Sequence, residues 1–257
     1  MRRIRMIVQY EGTDYVGWQV QPNGVSVQEK LEAAVFLVTG ENVRVEGSGR
    51  TDSGVHAMAQ VCHFDANVRM PADKFAIALN TRLPRDIRVL FSQETDGAFH
   101  SRFSAKRKTY RYTIQLGEHS DVFTRNTALH VHTFLDIEKM NAAAALCVGE
   151  HDFSSFMSAG TTMENTVRTL YKSEWIKEGK YLHYWVEGNG FLYNMVRILV
   201  GTMLEIGCGK LPIEAMSNAL LNQCRENAGP TAPAQGLMLM RVCYPDFDTR
   251  EVLSCDS

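Results

Sequence analysis

The chain has 257 residues, a formal net charge of −2, 45% hydrophobic and 22% charged residues. That composition is ordinary for a soluble protein of one large domain or two small ones, and the net charge argues against a globally basic nucleic-acid binder. The N-terminus, Met-Arg-Arg-Ile-Arg, does not read as a signal peptide, and no apolar run is long enough to span a membrane. Six scattered cysteines without C-x-x-C spacing and eight histidines without an H-x-x-x-H pair suggest neither a metal site nor a disulfide framework. Free thiols fit a cytoplasmic location.

In chain order, Ile4–Tyr10 reads as a strand. Ser26-Val-Gln-Glu29 is a capping box that opens a helix carrying Val27, Leu31, Ala34, Val35 and Val38 on one side. Asn42–Gly47 and Ala59–Asp65 read as strands, Pro71–Thr81 as a helix and Ile87–Glu94 as a strand. The second half repeats the order. It has a strand at Lys108–Leu116, a helix from Asp136 to about Val148, and a hairpin of Val167–Lys177 and Tyr181–Glu187 turning at Gly179. A helix capped by Asn189 then runs from about Phe191 to Ile206, a further helix follows Pro212, and Gly236–Tyr244 is the last strand. Each half is β-α-β-β-α-β, the split ferredoxin-like unit. The expectation is an α+β fold with halves at 1–104 and 105–257, a joined mixed or antiparallel sheet, helices on one side and a cleft between the halves. The long connections 11–25 and 149–166 read as functional loops.

Gly47-Ser-Gly-Arg-Thr-Asp-Ser-Gly-Val-His56 is the most informative segment, because three glycines bracket Arg50 and Asp52. The glycine spacing does not fit a dinucleotide fingerprint, and Val55 and His56 stand where a P-loop needs Lys and Ser or Thr. Two readings of the segment remain: a tight turn with a solvated Arg and Asp, or a site with a fixed carboxylate. Residues 97–117 carry Arg102, Lys106, Arg107, Lys108 and Arg111 without an acid, interleaved with Phe99, Phe103, Tyr110 and Tyr112. Such a stripe can track a phosphate backbone and stack on bases, or it can be a solvated strand edge. Arg197 shares a helix face with Asn194 and Gly201, where it can lie under another backbone, reach into a cleft, or simply be exposed.

These segments, with Tyr10-Glu-Gly-Thr-Asp-Tyr-Val-Gly-Trp-Gln19, Phe103–Tyr112, Gly149–Phe156, Arg168-Thr169, Gly190–Gly201 and Gly236-Leu237, resemble the TruA family of tRNA pseudouridine synthases. The resemblance runs in order from about Arg3 to Tyr244. One departure is Ser53, where the family usually has Ala; it can add one hydrogen bond in the loop. The resemblance implies that Asp52 is the catalytic aspartate and Arg197 its partner. It implies that Tyr110 packs on the target base and is a candidate base for the last proton. Arg50 would help displace the target base. It also implies action on uridines of the tRNA anticodon stem-loop, at tRNA positions 38 to 40, by a homodimer without metal or organic cofactor. Arg102, Lys106, Arg107, Lys108 and Arg111 are the expected phosphate contacts near that pocket. The alternatives are a related synthase acting on other tRNA positions or other RNA, and a non-catalytic RNA-binding protein of this fold.

Overall fold

The computed structural model describes residues 1–158 and 163–254. Part of the expected 149–166 loop and Cys255 therefore lie outside the described residues. The chain divides into two compact units, Met1–Lys106 with the C-terminal residues from Met238, and Arg107–Leu237. The internal boundary falls two residues from the expected one. The last strand is grouped with the first unit, whereas the sequence reading gives it to the second half.

In chain order the elements are β1 (Arg2–Tyr10), α1 (Val27–Thr39), β2 (Glu46–Gly47), β3 (His56–Ala66), α2 (Lys74–Asn80), β4 (Ile87–Thr95), β5 (Arg107–Leu116) and β6 (Leu129–Val131). Then come α3 (Ile137–Ala145), β7 (Gly149–Asp152), β8 (Val167–Glu178), β9 (Tyr181–Gly188), α4 (Met195–Gly207), α5 (Glu214–Asn222) and β10 (Leu237–Cys243).

In the first unit β1 lies antiparallel between β4 and β3, and β2 pairs with the far side of β3. The order 4-1-3-2 is that of a split β-α-β-β-α-β unit. β10 adds a short parallel pairing, Met238 and Leu239 against His56 and Ala57. The capping box forms as expected: the Glu29 N–H donates to Ser26 Oγ at 3.2 Å, and the Ser26 N–H to Glu29 Oε2 at 3.5 Å. Such a cap stabilises a helix by about 1 kcal/mol. Gly40, at φ 75°, ends α1 in the left-handed conformation. On one sheet face Phe64 meets Phe75 of α2 edge-on, with ring centroids 5.4 Å apart, and both rings are fully buried. Burying a side chain of that size stabilises the fold by about 1.5–3 kcal/mol. The opposite face is covered too. Arg5 packs its guanidinium 4.0 Å over the Phe247 ring, and Phe99 lies against Tyr244. This explains why Ile4 through Val8 are all buried instead of alternating.

Strand Asn42–Gly47 shrinks to two residues because the Val45 N–H leaves the ladder and donates to Glu32 Oε1 of α1 at 3.0 Å. The second helix begins at Lys74, three residues beyond Pro71.

In the second unit β5, β9, β8 and β7 are successively antiparallel, and β6 runs parallel to β5. The hairpin turns at Gly179, at φ 59°. Asp136 caps α3 through the Lys139 N–H at 3.1 Å, as expected. The cap assigned to Asn189 does not form. Its N–H donates to the Thr169 carbonyl at 3.1 Å and its Oδ1 accepts from the Thr169 N–H at 3.0 Å, so Asn189 extends the hairpin. α4 starts at Met195, after Asn194 at φ 61°, a conformation that Asn tolerates. Among the described residues no helix is long and apolar enough to cross a membrane, and no group of three His, Cys, Asp or Glu could hold a metal ion.

Candidate active site

Asp52 sits between β2 and β3 in a loop whose shape is set by its neighbour, residues 11–25. The Trp18 N–H donates to the Thr51 carbonyl at 3.0 Å, and the Gly54 N–H donates to the Tyr15 carbonyl at 3.3 Å. The Gly12 N–H donates to His56 Nδ1 at 2.9 Å, and Tyr10 Oη is 2.8 Å from Thr51 Oγ1. The loop closes on itself through the Val55 N–H, which donates to the Asp52 carbonyl at 3.1 Å, with Gly54 at φ 76°. Glycine is required where the loops touch: a Cβ on Gly12 would stand 2.1 Å from the Val55 oxygen, and one on Gly17 would stand 2.5 Å from the Thr51 oxygen. Tyr10, Thr51 and His56 are buried, Asp52 is half-buried, and Arg50 is exposed. Ser53 makes the extra bond expected of it, donating to the Tyr15 carbonyl at 3.2 Å.

In the second unit Tyr110 points from β5 toward the core face and meets Phe191 edge-on, with centroids 5.1 Å apart. Two residues on, Tyr112 donates its hydroxyl to the Pro233 carbonyl at 2.8 Å, and burial raises its pKa. Arg197, in the first turn of α4, donates from Nε to the Ala232 carbonyl at 2.7 Å and from Nη1 to Asn194 Oδ1 at 2.9 Å. The Ala232 N–H donates back to the Arg197 carbonyl at 3.0 Å. The 229–233 strap can lie this close only because position 201 is glycine. A Cβ there would stand 1.8 Å from the Pro230 oxygen.

The basic residues of β5 fall on two faces of the strand. Arg102 and Lys106 belong to the first unit, and Arg107, Lys108 and Arg111 to the second. Strand alternation puts Lys108 on the Tyr110 face and Arg107 and Arg111 on the other. Arg107 pairs with Glu187 at 3.2 Å and covers the Tyr171 ring at 4.4 Å. Arg111 lies 5.6 Å over Trp185, where burial lowers its pKa. Phe99 and Tyr112 are core residues, whereas Phe103 is exposed.

Sequence reasoning missed His63 and Ser101, which pin the loop after β4. His63 Nδ1 and Ser101 Oγ are 2.9 Å apart, and Ser101 Oγ donates onward to the Glu46 carbonyl at 2.6 Å. No local motif announces this contact between residues 38 apart. Burial first, then the charges of Arg3 and His100, push the His63 imidazole down to about 4. The unfolded chain takes up this proton near pH 6.5 and the folded chain near 4. Stability from neutral His63 is therefore complete above about pH 6.5 and is lost as pH falls toward 4, by up to about 3 kcal/mol. His63→Asn, whose amide can still donate to Ser101, is expected to flatten the pH dependence of denaturant midpoints across that window. Parallel profiles for the two proteins would refute the assignment.

The family model described as tRNA pseudouridine synthase matches residues 6–104 and 143–245. The chain belongs to that family, whose members are isomerases of uridine in RNA. It is 48% identical over 244 residues to tRNA pseudouridine synthase A of Brevibacillus brevis, covering 95% of this chain and 100% of that one. The tRNA pseudouridine synthase A of Halalkalibacterium halodurans is 48% identical over 239 residues, covering 93% of this chain and 91% of that one.

Proposed function

We propose that the chain converts uridine to pseudouridine in the anticodon stem-loop of tRNA, at tRNA positions 38 to 40, with Asp52 as the catalytic carboxylate. The observation that carries this reading is the clasp on the Asp52 loop. It fixes a carboxylate between glycines in the motif through which the chain resembles its family. Asp52 opens the reaction, by attack on the base at C6 or by action at the sugar. Either role needs an ionised carboxylate, and an Arg partner favours that form, typically by 1–3 pKa units. We assign Arg197 to this task.

The bond from N1 of the base to the sugar breaks, and C5 takes its place on the sugar. C5 then loses its proton to a base, and N1 regains one, so the product is an isomer. Tyr110 packs against the flipped base and its oxygen accepts the C5 proton. Flipping costs a few kcal/mol, which stacking offsets. Arg50 helps displace the base, and Arg102, Lys106, Arg107, Lys108 and Arg111 contribute phosphate contacts. The working form is a cytoplasmic homodimer with RNA lying across both subunits, without metal or organic cofactor.

Tritium release from C5-labelled uridine in unmodified tRNA tests the reaction, and mapping pseudouridine in the product tests the positions. Release without pseudouridine at positions 38 to 40 would shift the reading to another tRNA site. Tyr110→Phe keeps the ring and removes the acceptor, so release is expected to slow about 100-fold or more. A full-rate variant would take the hydroxyl out of the mechanism.

A further inference from the structure

A small pocket of about 40 Å3 opens on the first unit beside the Asp52 loop, and Asp52 does not line it. Its floor is Trp18 with the backbone of Gly47 and Gly49, and its rim carries Arg44, Arg50 and Arg102. That is room for one tetrahedral anionic group.

Charge points the same way. Three arginines line the pocket against one carboxylate, Glu46, which Arg44 holds at 2.8 Å. Arg44, Arg50 and Arg102 are all exposed. Like charges gathered around so small a space repel one another, and an anion between them offsets that cost. Guanidinium forks match phosphate oxygens, and these charge-assisted bonds are the strong ones.

The segments that carry the arginines are already cross-linked. Ser101 Oγ donates to the Glu46 carbonyl at 2.6 Å, tying the Arg102 arm to β2. Gln60 Nε2 donates to the Gly49 carbonyl at 2.9 Å, and the Ser48 N–H donates to the Val61 carbonyl at 2.7 Å, which fixes the segment leading to Arg50. Gly47 lies flat on the Trp18 indole, where a Cβ would stand 2.5 Å from the ring. A seat built before its ligand arrives loses less entropy on binding.

We propose that this pocket is a phosphate seat. It holds one backbone phosphodiester of the RNA and sets the strand in register with the Asp52 loop. The assignment rests on the functional reading above. It adds Arg44 to the binding residues and gives Arg102 a defined ligand. Inorganic phosphate shares the chemistry, so the test separates the two sources.

The probe is unmodified tRNA carrying ethylated phosphates, bound to Asp52→Asn protein so that no turnover intervenes. Ethylation of one phosphate is expected to weaken binding at least fivefold, and adding Arg44→Gln or Arg102→Gln should abolish that penalty. Each change should also reduce the slope of log affinity against log salt by about 0.7–0.9, the loss of one phosphate contact. In otherwise unmodified protein each should raise KM about tenfold with kcat within about twofold. An interference pattern untouched by Arg44→Gln overturns the proposal whatever the salt slope does. Competition by inorganic phosphate that Arg44→Gln removes, with that pattern unchanged, would assign the pocket to the free anion and equally overturn it. Thermal midpoints within about 2 °C of the parent confirm that the exposed substitutions leave the fold intact. Tritium release by the parent chain with an unchanged pattern sinks the seat alone, whereas absence of release sinks the functional reading.

Discussion

Asp52→Asn is expected to lower pseudouridine formation at least about 10³-fold while changing tRNA affinity less than about threefold. The magnitude follows from removing a group that acts directly on the reacting atoms. The retention of binding follows from the loop. Main-chain bonds to its own carbonyl, to the carbonyl of Thr51 and across the clasp from residues 11–25 hold the loop, and Asn leaves them in place. The side chain keeps its size, loses its charge and exchanges one acceptor oxygen for a donor. Tritium release and a gel-shift titration on the same preparation measure both quantities. Near-normal turnover would end the role of Asp52, and parallel loss of affinity would show that the carboxylate shapes the loop rather than the chemistry.

Gly201→Ala should cost about 3 kcal/mol or more, lowering the thermal midpoint by about 6–12 °C. The added methyl would stand 1.8 Å from the Pro230 oxygen, and the atoms it meets are backbone, which cannot swing aside as a side chain would. The strap has no easy retreat either, because the Gly229 N–H is held by Thr202 Oγ1 at 2.8 Å inside the core. Whatever movement occurs is passed to Ala232, the acceptor for Arg197 Nε. Turnover at a temperature where the variant is fully folded should therefore fall at least tenfold, with less effect on tRNA affinity. Calorimetry and the tritium assay together check this. A variant with the parent's melting temperature would mean that the strap is not seated as described.

Features whose cause lies within a few residues were legible in the sequence. Ser26 and Glu29 announced their cap, Asp136 announced its own, and Gly179 announced the hairpin. Arg197, on a face with Gly201, reads as able to lie under another backbone among other outcomes, and it donates to the Ala232 carbonyl of the strap. Asn189 shows the limit. Its side chain suits a cap, and only the nearness of Thr169, twenty residues away, decides that it pairs there instead. The same holds for Val45, drawn off the ladder by Glu32. Lys108 and Arg111 looked alike in a basic run, yet strand alternation and Trp185 separate them. The Arg44 pocket was invisible because its walls come from segments around residues 18, 28, 47 and 102, which only folding brings together.

The clasp between the two loops of the first unit rests on main-chain groups, the His56 and Ser53 side chains and close-packed glycines. Thr13, Asp14 and residues 20–25 are exposed. Substitutions there can alter which RNA contours are tolerated without moving Asp52. The arrangement lets recognition drift over evolutionary time while the reacting group stays in place, and it confines intolerance to a few positions such as Gly12 and Gly17.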